Sequence, residues 1–385
     1  MTMAEAYIVE ALRTAGGRRN GRLSGVHPAD LAGDVLSSLV ARTGVDPAAI
    51  EDVILGCVTQ VGEQSFAFAR NAVLASTLPT TVPAVTIDRQ CGSSQQAVQF
   101  AAQAVLSGTQ DVVIAAGAES MSRVPMFSNQ SAGSPVSDRI RKRFGVEGFS
   151  QFEGAEMMAR KYGYDRETLD RFALHSHQLA AAAIAVGAFD REIVPISVDT
   201  PDGPSVHLVD EGVRADSTLE KIGSVKTLIE GGLITAANAS QICDGASALL
   251  IVSEQALKAH GLTPIARIHA MVVTAGDPII MLEEPITATQ RLLERSGLSI
   301  ADIDLYEVNE AFAPVPLAWL DVLQADPERL NVHGGSIALG HPLGSSGTKL
   351  MSTLVHALRR HGNRYGLQTM CEAGGIANAM IIEAL

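Results

Sequence analysis

An α/β fold with parallel strands is predicted by three observations on this chain. A strand-length run, Ala84 to Asp88, leads into a helical pattern beginning at Gly92, where Ala97, Phe100, Ala101, Ala104 and Val105 recur at helical spacing. A second apolar run, Asp111 to Ala116, follows and reads as a buried strand. Strand, helix and strand in that order make a parallel crossover unit. The same alternation returns after Ala246, which suggests two similar halves from the order of elements, without a strong sequence repeat.

The other elements follow in turn. Tyr7 to Leu12 and Asp52 to Val58 are apolar runs of strand length, and Pro28 to Ala41 has helical period. Between about Glu119 and Ala239 the character changes to Met, Ser and Pro, a charged cluster from Arg139 to Arg143, and the turn signal Pro201-Asp202-Gly203-Pro204. This stretch looks inserted. It carries helical patterns of its own at Ala155 to Tyr162 and Thr168 to Val186, as expected of a loop domain that covers a site. Beyond it, Ala246 to Val252, Ile265 to Val273, Leu305 to Asn309, Gln368 to Cys371 and Ala379 to Ile382 read as strands, and Ile286 to Arg295 and Ser346 to Arg359 as helices.

At 385 residues the chain exceeds what one hydrophobic core usually supports, so two or more packed units are expected. Hydrophobic residues at 46% and charged ones at 18% describe a well-packed chain. A net charge of −13 argues against nucleic acid or an anionic membrane as the main partner. An anionic cofactor would be held by a few local Lys or Arg side chains and by helix N-termini. Cys57, Cys91, Cys243 and Cys371 are scattered without zinc spacing and read as reduced thiols. Met1 to Leu12 lacks the pattern of a secretory leader and no apolar run reaches membrane-spanning length, so no membrane insertion and a cytoplasmic location are expected.

Three unusual loops carry candidate chemistry. Cys91 stands where the strand gives way to the helix, and a helix N-terminus favours a thiolate. His341 lies between glycine clusters in Gly340-His341-Pro342-Leu343-Gly344-Ser345-Ser346-Gly347, where Gly340, Gly344 and Gly347 permit close backbone approach. Cys371 precedes Glu372-Ala373-Gly374-Gly375. Any one of these alone would be read as a structural thiol or histidine; together they offer thiol, imidazole and thiol.

These loops resemble the thiolase family, in the family's order. The resemblance is carried by Arg13-Thr14, Cys91-Gly92-Ser93, Ala118-Glu119-Ser120-Met121-Ser122, Asn238-Ala239-Ser240, Asp244-Gly245-Ala246, Asn309-Glu310-Ala311-Phe312, the His341 loop and the Cys371 loop. It spans nearly the whole chain and is weakest from Arg123 to Glu230. It implies the thiolase fold, two similar halves in a five-layered αβαβα arrangement with an inserted loop domain. The expected division is residues 1–118 with 245–264 for the half carrying Cys91, 119–244 for the loop domain over the CoA and substrate site, and 265–385 for the half carrying Asn309, His341 and Cys371.

By the same resemblance Cys91 is the residue acylated during thiolytic cleavage of a 3-ketoacyl-CoA or its reverse, a Claisen condensation. His341 is the base that activates it and a donor to the thioester oxygen. Cys371 is the acid/base at the carbon alpha to the thioester. Asn309, acting through a bound water with His341, stabilises the enolate oxygen, and Glu310 orients neighbours. A second oxyanion hole uses the amides of Cys91 and Ala373, where the family more commonly has glycine. Ser240 is placed near the pantetheine of CoA and Lys226 near its nucleotide. Coenzyme A is a co-substrate, with no prosthetic group or metal, and a homodimer or homotetramer is implied.

Gln151-Phe152-Glu153-Gly154 replaces the Met-Gly pattern of acetoacetyl-CoA-forming members, which leans towards β-oxidation of a medium or bulky 3-ketoacyl-CoA, including a sterol side chain. Four alternatives stay open: a biosynthetic acetoacetyl-CoA thiolase, a ketoacyl synthase, a catalytically weak CoA- or lipid-binding protein of the same fold, and a regulatory Cys91–Cys371 disulfide.

Overall fold

The structure, a computed structural model, describes residues 4–201 and 203–385. The first half runs β1 (Ala6–Thr14), β2 (Gly17–Arg18), α1 (Pro28–Thr43), β3 (Asp52–Gly56), α2 (Phe68–Leu74), β4 (Ala84–Ile87), α3 (Ser93–Leu106) and β5 (Val112–Ser120). A long excursion follows with α4 (Asp138–Phe144), α5 (Gln151–Lys161), α6 (Arg166–Ala185), the strands β6 (Ile193–Val194), β7 (Ile196–Thr200) and β8 (Gly203–His207), and α7 (Leu219–Gly223). β9 (Cys243–Ser253) and α8 (Glu254–His260) complete that half. The second half is β10 (Ala266–Ala275), α9 (Glu284–Ser296), β11 (Leu305–Val308), α10 (Pro314–Leu323), α11 (Ser336–Leu339), α12 (Ser346–His361), β12 (Tyr365–Glu372) and β13 (Ile376–Ala384).

The halves share one topology. β1 pairs antiparallel with β9, β9 antiparallel with β5, and β5 parallel with β3. β10, β13, β12 and β11 repeat that series of partners and directions. The crossover expected from β4 through α3 to β5 is present and parallel, with both strands flanking β3. β1 and β10 join the two half-sheets edge to edge at Tyr7↔Arg267 and Ile8↔Ala266.

Burial explains the layers. α1 and α2 pack on one face of the first half-sheet through Leu31, Val35, Leu36, Phe68 and Val73. α3 and α12 lie between the two half-sheets, with Val98, Val105, Met351 and Leu358 in one core with Leu249 and Ile382. α9 and α10 cover the far face of the second half-sheet through Ile286, Leu292 and the fully buried Trp319. The order is helix, sheet, helix, sheet, helix, the five-layered αβαβα arrangement. Of the apolar positions expected on α3, Ala97, Ala101 and Val105 are buried, whereas Phe100 is 39% exposed because α3 turns its other side to the core.

The excursion between β5 and β9 is tied to the rest. Ala155, Met158, Leu169 and Ala173 of α5 and α6 belong to the same core as Trp319, and β6 pairs parallel with β1. The turn expected around Pro201 joins β7 to β8; Asp202 itself lies outside the described residues.

The glycines of the His341 loop allow the two halves to touch. A Cβ at Gly344 would lie 2.5 Å from the Cα of Cys57, and one at Gly347 would lie 2.0 Å from the backbone nitrogen of Gln95 on α3. Neither contact leaves room for a methyl group. Gly347→Ala is expected to lower stability by about 1–3 kcal/mol through overpacking at this crossing, measured as an earlier chemical-denaturation midpoint; an unchanged midpoint would show that α3 and α12 separate freely.

Candidate active site

The backbone before α3 is bent sharply. Gln90 has φ +50°, uncommon for a residue with a side chain, and it is held by an Asp88 oxygen that accepts from its amide at 2.6 Å. The Ser93 hydroxyl donates to the Gln90 carbonyl at 2.6 Å and accepts from the Arg89 amide at 2.9 Å. Gly92 is the cap of α3, so Cys91 stands one residue ahead of it. Its side chain is 7% exposed and faces a cavity of about 210 Å³ lined by Val58, Phe127, Phe152, Leu343 and Ala373.

The sequence expectation of a resting thiolate is corrected by this geometry. Burial pushes the Cys91 thiol up to about 12, the nearby Glu372 carboxyl adds to the rise, and the residue's own amide opposes it. Desolvation of the charged sulfur outweighs the helix end.

His341 is 3% exposed at the end of α11. Its Nδ1 lies 2.5 Å from the Ser346 hydroxyl, which itself donates to the Pro342 carbonyl at 2.9 Å. With that proton committed, the hydroxyl oxygen accepts from Nδ1–H, and the lone pair of the ring is left on Nε2. Nε2 lies 3.5 Å from the Asn309 Nδ2, and the Asn309 Oδ1 accepts from the Ser336 hydroxyl at 2.6 Å, which fixes the amide's orientation. Burial, helped by the positive Lys349, pushes the imidazole down to about 3. Lys349 donates to the Gly340 carbonyl at 2.9 Å and to the Leu339 carbonyl, holding the turn into the histidine. A neutral thiol and a neutral imidazole are therefore the resting forms.

Cys371 is 1% exposed near the end of β12. Burial raises its thiol well above the ordinary range, and the neighbouring Cys91 adds to this. The next residues form the turn into β13, where Gly374 and Gly375 have φ +92° and +74°. Ala373 is not among the residues with positive φ, so its backbone does not call for glycine, and the residue forms part of the wall of the Cys91 cavity.

A second cavity of about 550 Å³ is lined by His341, Ser240, Ala239, Phe312 and Ile242. It shares Met126, Gln151, Phe152 and Leu343 with the Cys91 cavity, so imidazole and thiol face adjoining spaces. Arg18, Arg19 and Arg214 also line it. Lys226 is exposed and is not one of the lining residues, so the guanidiniums rather than this lysine stand beside the cavity. Ser346, Arg18, Arg19 and Arg214 escaped the sequence reading: the Ser-Ser pair after His341-Pro342 and the Arg-Arg pair after Arg13-Thr14 were available signals, and Arg214 had none. Glu310 accepts from Ser176, Asn331 and the Ile337 amide at 2.7, 2.9 and 3.0 Å, tying Asn309 to α6 and α11. Among the described residues no cluster of His, Cys, Asp or Glu could hold a metal ion.

Comparison with known proteins agrees with this geometry. Residues 6–255 match the thiolase N-terminal domain and residues 262–384 the thiolase C-terminal domain. The chain is 51% identical to the steroid 3-ketoacyl-CoA thiolase FadA6 of Mycobacterium tuberculosis, over 100% of this chain and 95% of that protein. It is 41% identical to the acetyl-CoA acetyltransferase of Escherichia coli over 100% of both. The crystal structure of human mitochondrial 3-ketoacyl-CoA thiolase superposes with a TM-score of 0.91 at 37% identity, covering 100% of both chains. With a thiol and an imidazole in adjoining cavities and both family domains matched in order, the chain belongs to the thiolase family of acyltransferases.

Proposed function

We propose that this enzyme cleaves a 3-ketoacyl-CoA with free CoA, releasing acetyl-CoA and a shortened acyl-CoA, through an acyl group carried on Cys91. The observation that carries the reading is the neutral His341, whose Nε2 lone pair faces the Asn309 amide at 3.5 Å, in a cavity adjoining that of the neutral Cys91, with Cys371 buried beside the nucleophile.

The steps follow from these protonation states. Nε2 takes the Cys91 proton as the sulfur attacks the C3 carbonyl, so the thiolate exists only as it reacts. The amides of Cys91 and Ala373 receive the developing oxyanion. The C2–C3 bond breaks, its electron pair forms the enolate of acetyl-CoA, and Cys371 returns a proton to C2. Asn309 and His341 stabilise the enolate oxygen during that step. CoA then attacks the thioester on Cys91, its thiol proton passing to the Cys371 thiolate left by the first half-reaction, and the Cys91 sulfur leaves with the proton held on His341, which releases the shortened acyl-CoA and returns all three groups to their resting forms. The long cavity with Ser240 accommodates the pantetheine arm, and Arg18, Arg19 and Arg214 meet its phosphates.

The acyl chain occupies the smaller cavity, whose walls include Val58, Met126, Phe149, Phe152 and Met281. These apolar walls, and the likeness to a steroid thiolase, support a medium or bulky apolar chain, including a sterol side chain, in a degradative β-oxidation sequence. Residues 119–244 act as the domain that covers both cavities. Four free, buried cysteines suit the reducing cytoplasm. The enzyme works as a homo-oligomer: β4 is an unpaired sheet edge flanked by exposed Phe66, Leu74, Val85 and Phe100, a surface that a second copy would cover.

Intact-mass analysis after incubation with 3-ketoacyl-CoA of graded chain length tests the assignment. Cys91→Ala is expected to carry no acyl group, and an acylated variant would overturn the nucleophile. Cys371→Ala is expected to acylate at Cys91 yet lose exchange of the α-protons of acetyl-CoA with deuterated solvent; normal exchange would remove its role. Ser346→Ala takes away the acceptor for Nδ1–H, an interaction with an imidazole that becomes charged, of about 1.5–3 kcal/mol; kcat/KM is expected to fall about ten- to hundredfold, and an unchanged value would show that the tautomer is set elsewhere. Val85→Lys is expected to shift the molecular mass in light scattering towards the monomer.

A further inference from the structure

Glu372 follows Cys371 on β12 and has no part in the steps above. Its side chain is fully buried and lies against Gly92, where a Cβ would meet its Oε1 at 1.9 Å and its Cδ at 2.4 Å. The carboxyl thus occupies the space that a side chain beside the nucleophile would fill, and this is why residue 92 is glycine. Oε1 accepts from the Asn378 amide at 3.0 Å on β13, while Oε2 has no hydrogen-bond partner. The Asn378 Oδ1 is also without a donor, and its Nδ2 donates to Gln96 on α3 at 3.1 Å. A carboxylate with one oxygen unsolvated and unpaired at this depth is strongly disfavoured, and a proton on Oε2 removes that buried charge.

We propose that Glu372 is a positioning residue that works as an uncharged carboxylic acid: protonated, it supports the Gly92 turn and leaves thiolate formation at Cys91 unopposed; ionised, its charge beside the sulfur shuts acylation down. The inference rests on the assignment of Cys91 as nucleophile. Of the charged groups around the carboxyl, Arg89 alone favours its charge. Cys91 and Arg89 face it from the segment before α3, Cys371 precedes it on β12, and α3 and β13 present the neutral amides of Gln96 and Asn378. Burial pushes the acid up to about 8, against the pull of Arg89, and its charge is in turn among the influences that raise both thiols.

The test is the pH dependence of Cys91 acylation in the full-length protein and in Glu372→Gln, which keeps the shape and cannot ionise. The wild type is expected to fall behind the variant above the titration near pH 8, by about tenfold at roughly one pH unit higher. Superimposable profiles would overturn the proposal. If Glu372→Gln fails to fold, the comparison passes to Glu372→Asp, expected to keep the alkaline loss, and Glu372→Ala, expected to lack it; the reverse pattern refutes the role. Alkylation of Cys91 by iodoacetamide, located by peptide mass, gives the same comparison without turnover. A protein that acylates with no acyl-CoA at any pH would defeat the proposed function, while the alkylation profiles would still decide the part played by Glu372.

Discussion

The site is held together by one buried carboxylate. Glu119, at the end of β5, accepts from the Val58 amide at 2.8 Å, the Thr59 amide at 3.0 Å, the Gly344 amide at 2.9 Å and the Gln64 side chain at 2.9 Å. Val58 walls the cavity of the nucleophile, and Gly344 lies three residues beyond His341. Burial pushes this acid up while the four donors pull it down, so its environment is built for an acceptor with many partners. Through it, loops from the two halves are fixed to one point, and the sulfur and the imidazole inherit their relative placement. Glycines at the crossing of α3 and α12 permit the approach; the carboxylate secures it.

A second set of charges anchors α12 in the middle of the molecule. Arg13 on β1 binds Asp210 at 2.9 Å and also pairs with Glu192, which accepts from Thr353 of α12 at 2.9 Å. Lys349 from the same helix points at the carbonyls before His341. Buried pairs of this sort add little net stability compared with apolar packing, but breaking one is expensive. Here they set the position of the helix that follows His341, whose burial, with help from Lys349, disfavours a protonated ring. Specificity of geometry, rather than strength, is what this charge cluster supplies.

Much of this was legible in the sequence. Alternating strand and helix periods gave an α/β fold with parallel strands, because buried parallel strands leave apolar runs that water-facing loops do not; the five layers came from the resemblance to thiolases. The positions of Cys91, His341 and Cys371 beside glycines marked the site, since close backbone approach leaves that composition behind. The protonation state of Cys91 was not legible: a helix end is a local feature, whereas desolvation depends on Leu343, Met370 and the other residues that the fold brings around the sulfur. Lys226 illustrates the same limit. Its position in the chain fits a cation for phosphate, but only the folded path shows that Arg18, Arg19 and Arg214 are the cations that line the cavity. The role of Ser346 was hidden because a serine at the start of a helix usually serves the backbone. The exposure of Phe100 was hidden because periodicity names a helical face without saying what covers it.

The shared strand order of the two halves has a consequence for how such a site arises. Gly56 pairs with Gly117 in one half, and Val308 pairs with Thr369 in the other. One step past the first pair members stand Cys57 and Asn309; two steps past the second stand Glu119 and Cys371. Equivalent places on the two similar halves thus hold different chemistry: the Glu119 carboxylate that gathers the loops stands where the other half has the Cys371 thiol. One scaffold position, used twice, braces loops in one half and stands beside the Cys91 sulfur in the other.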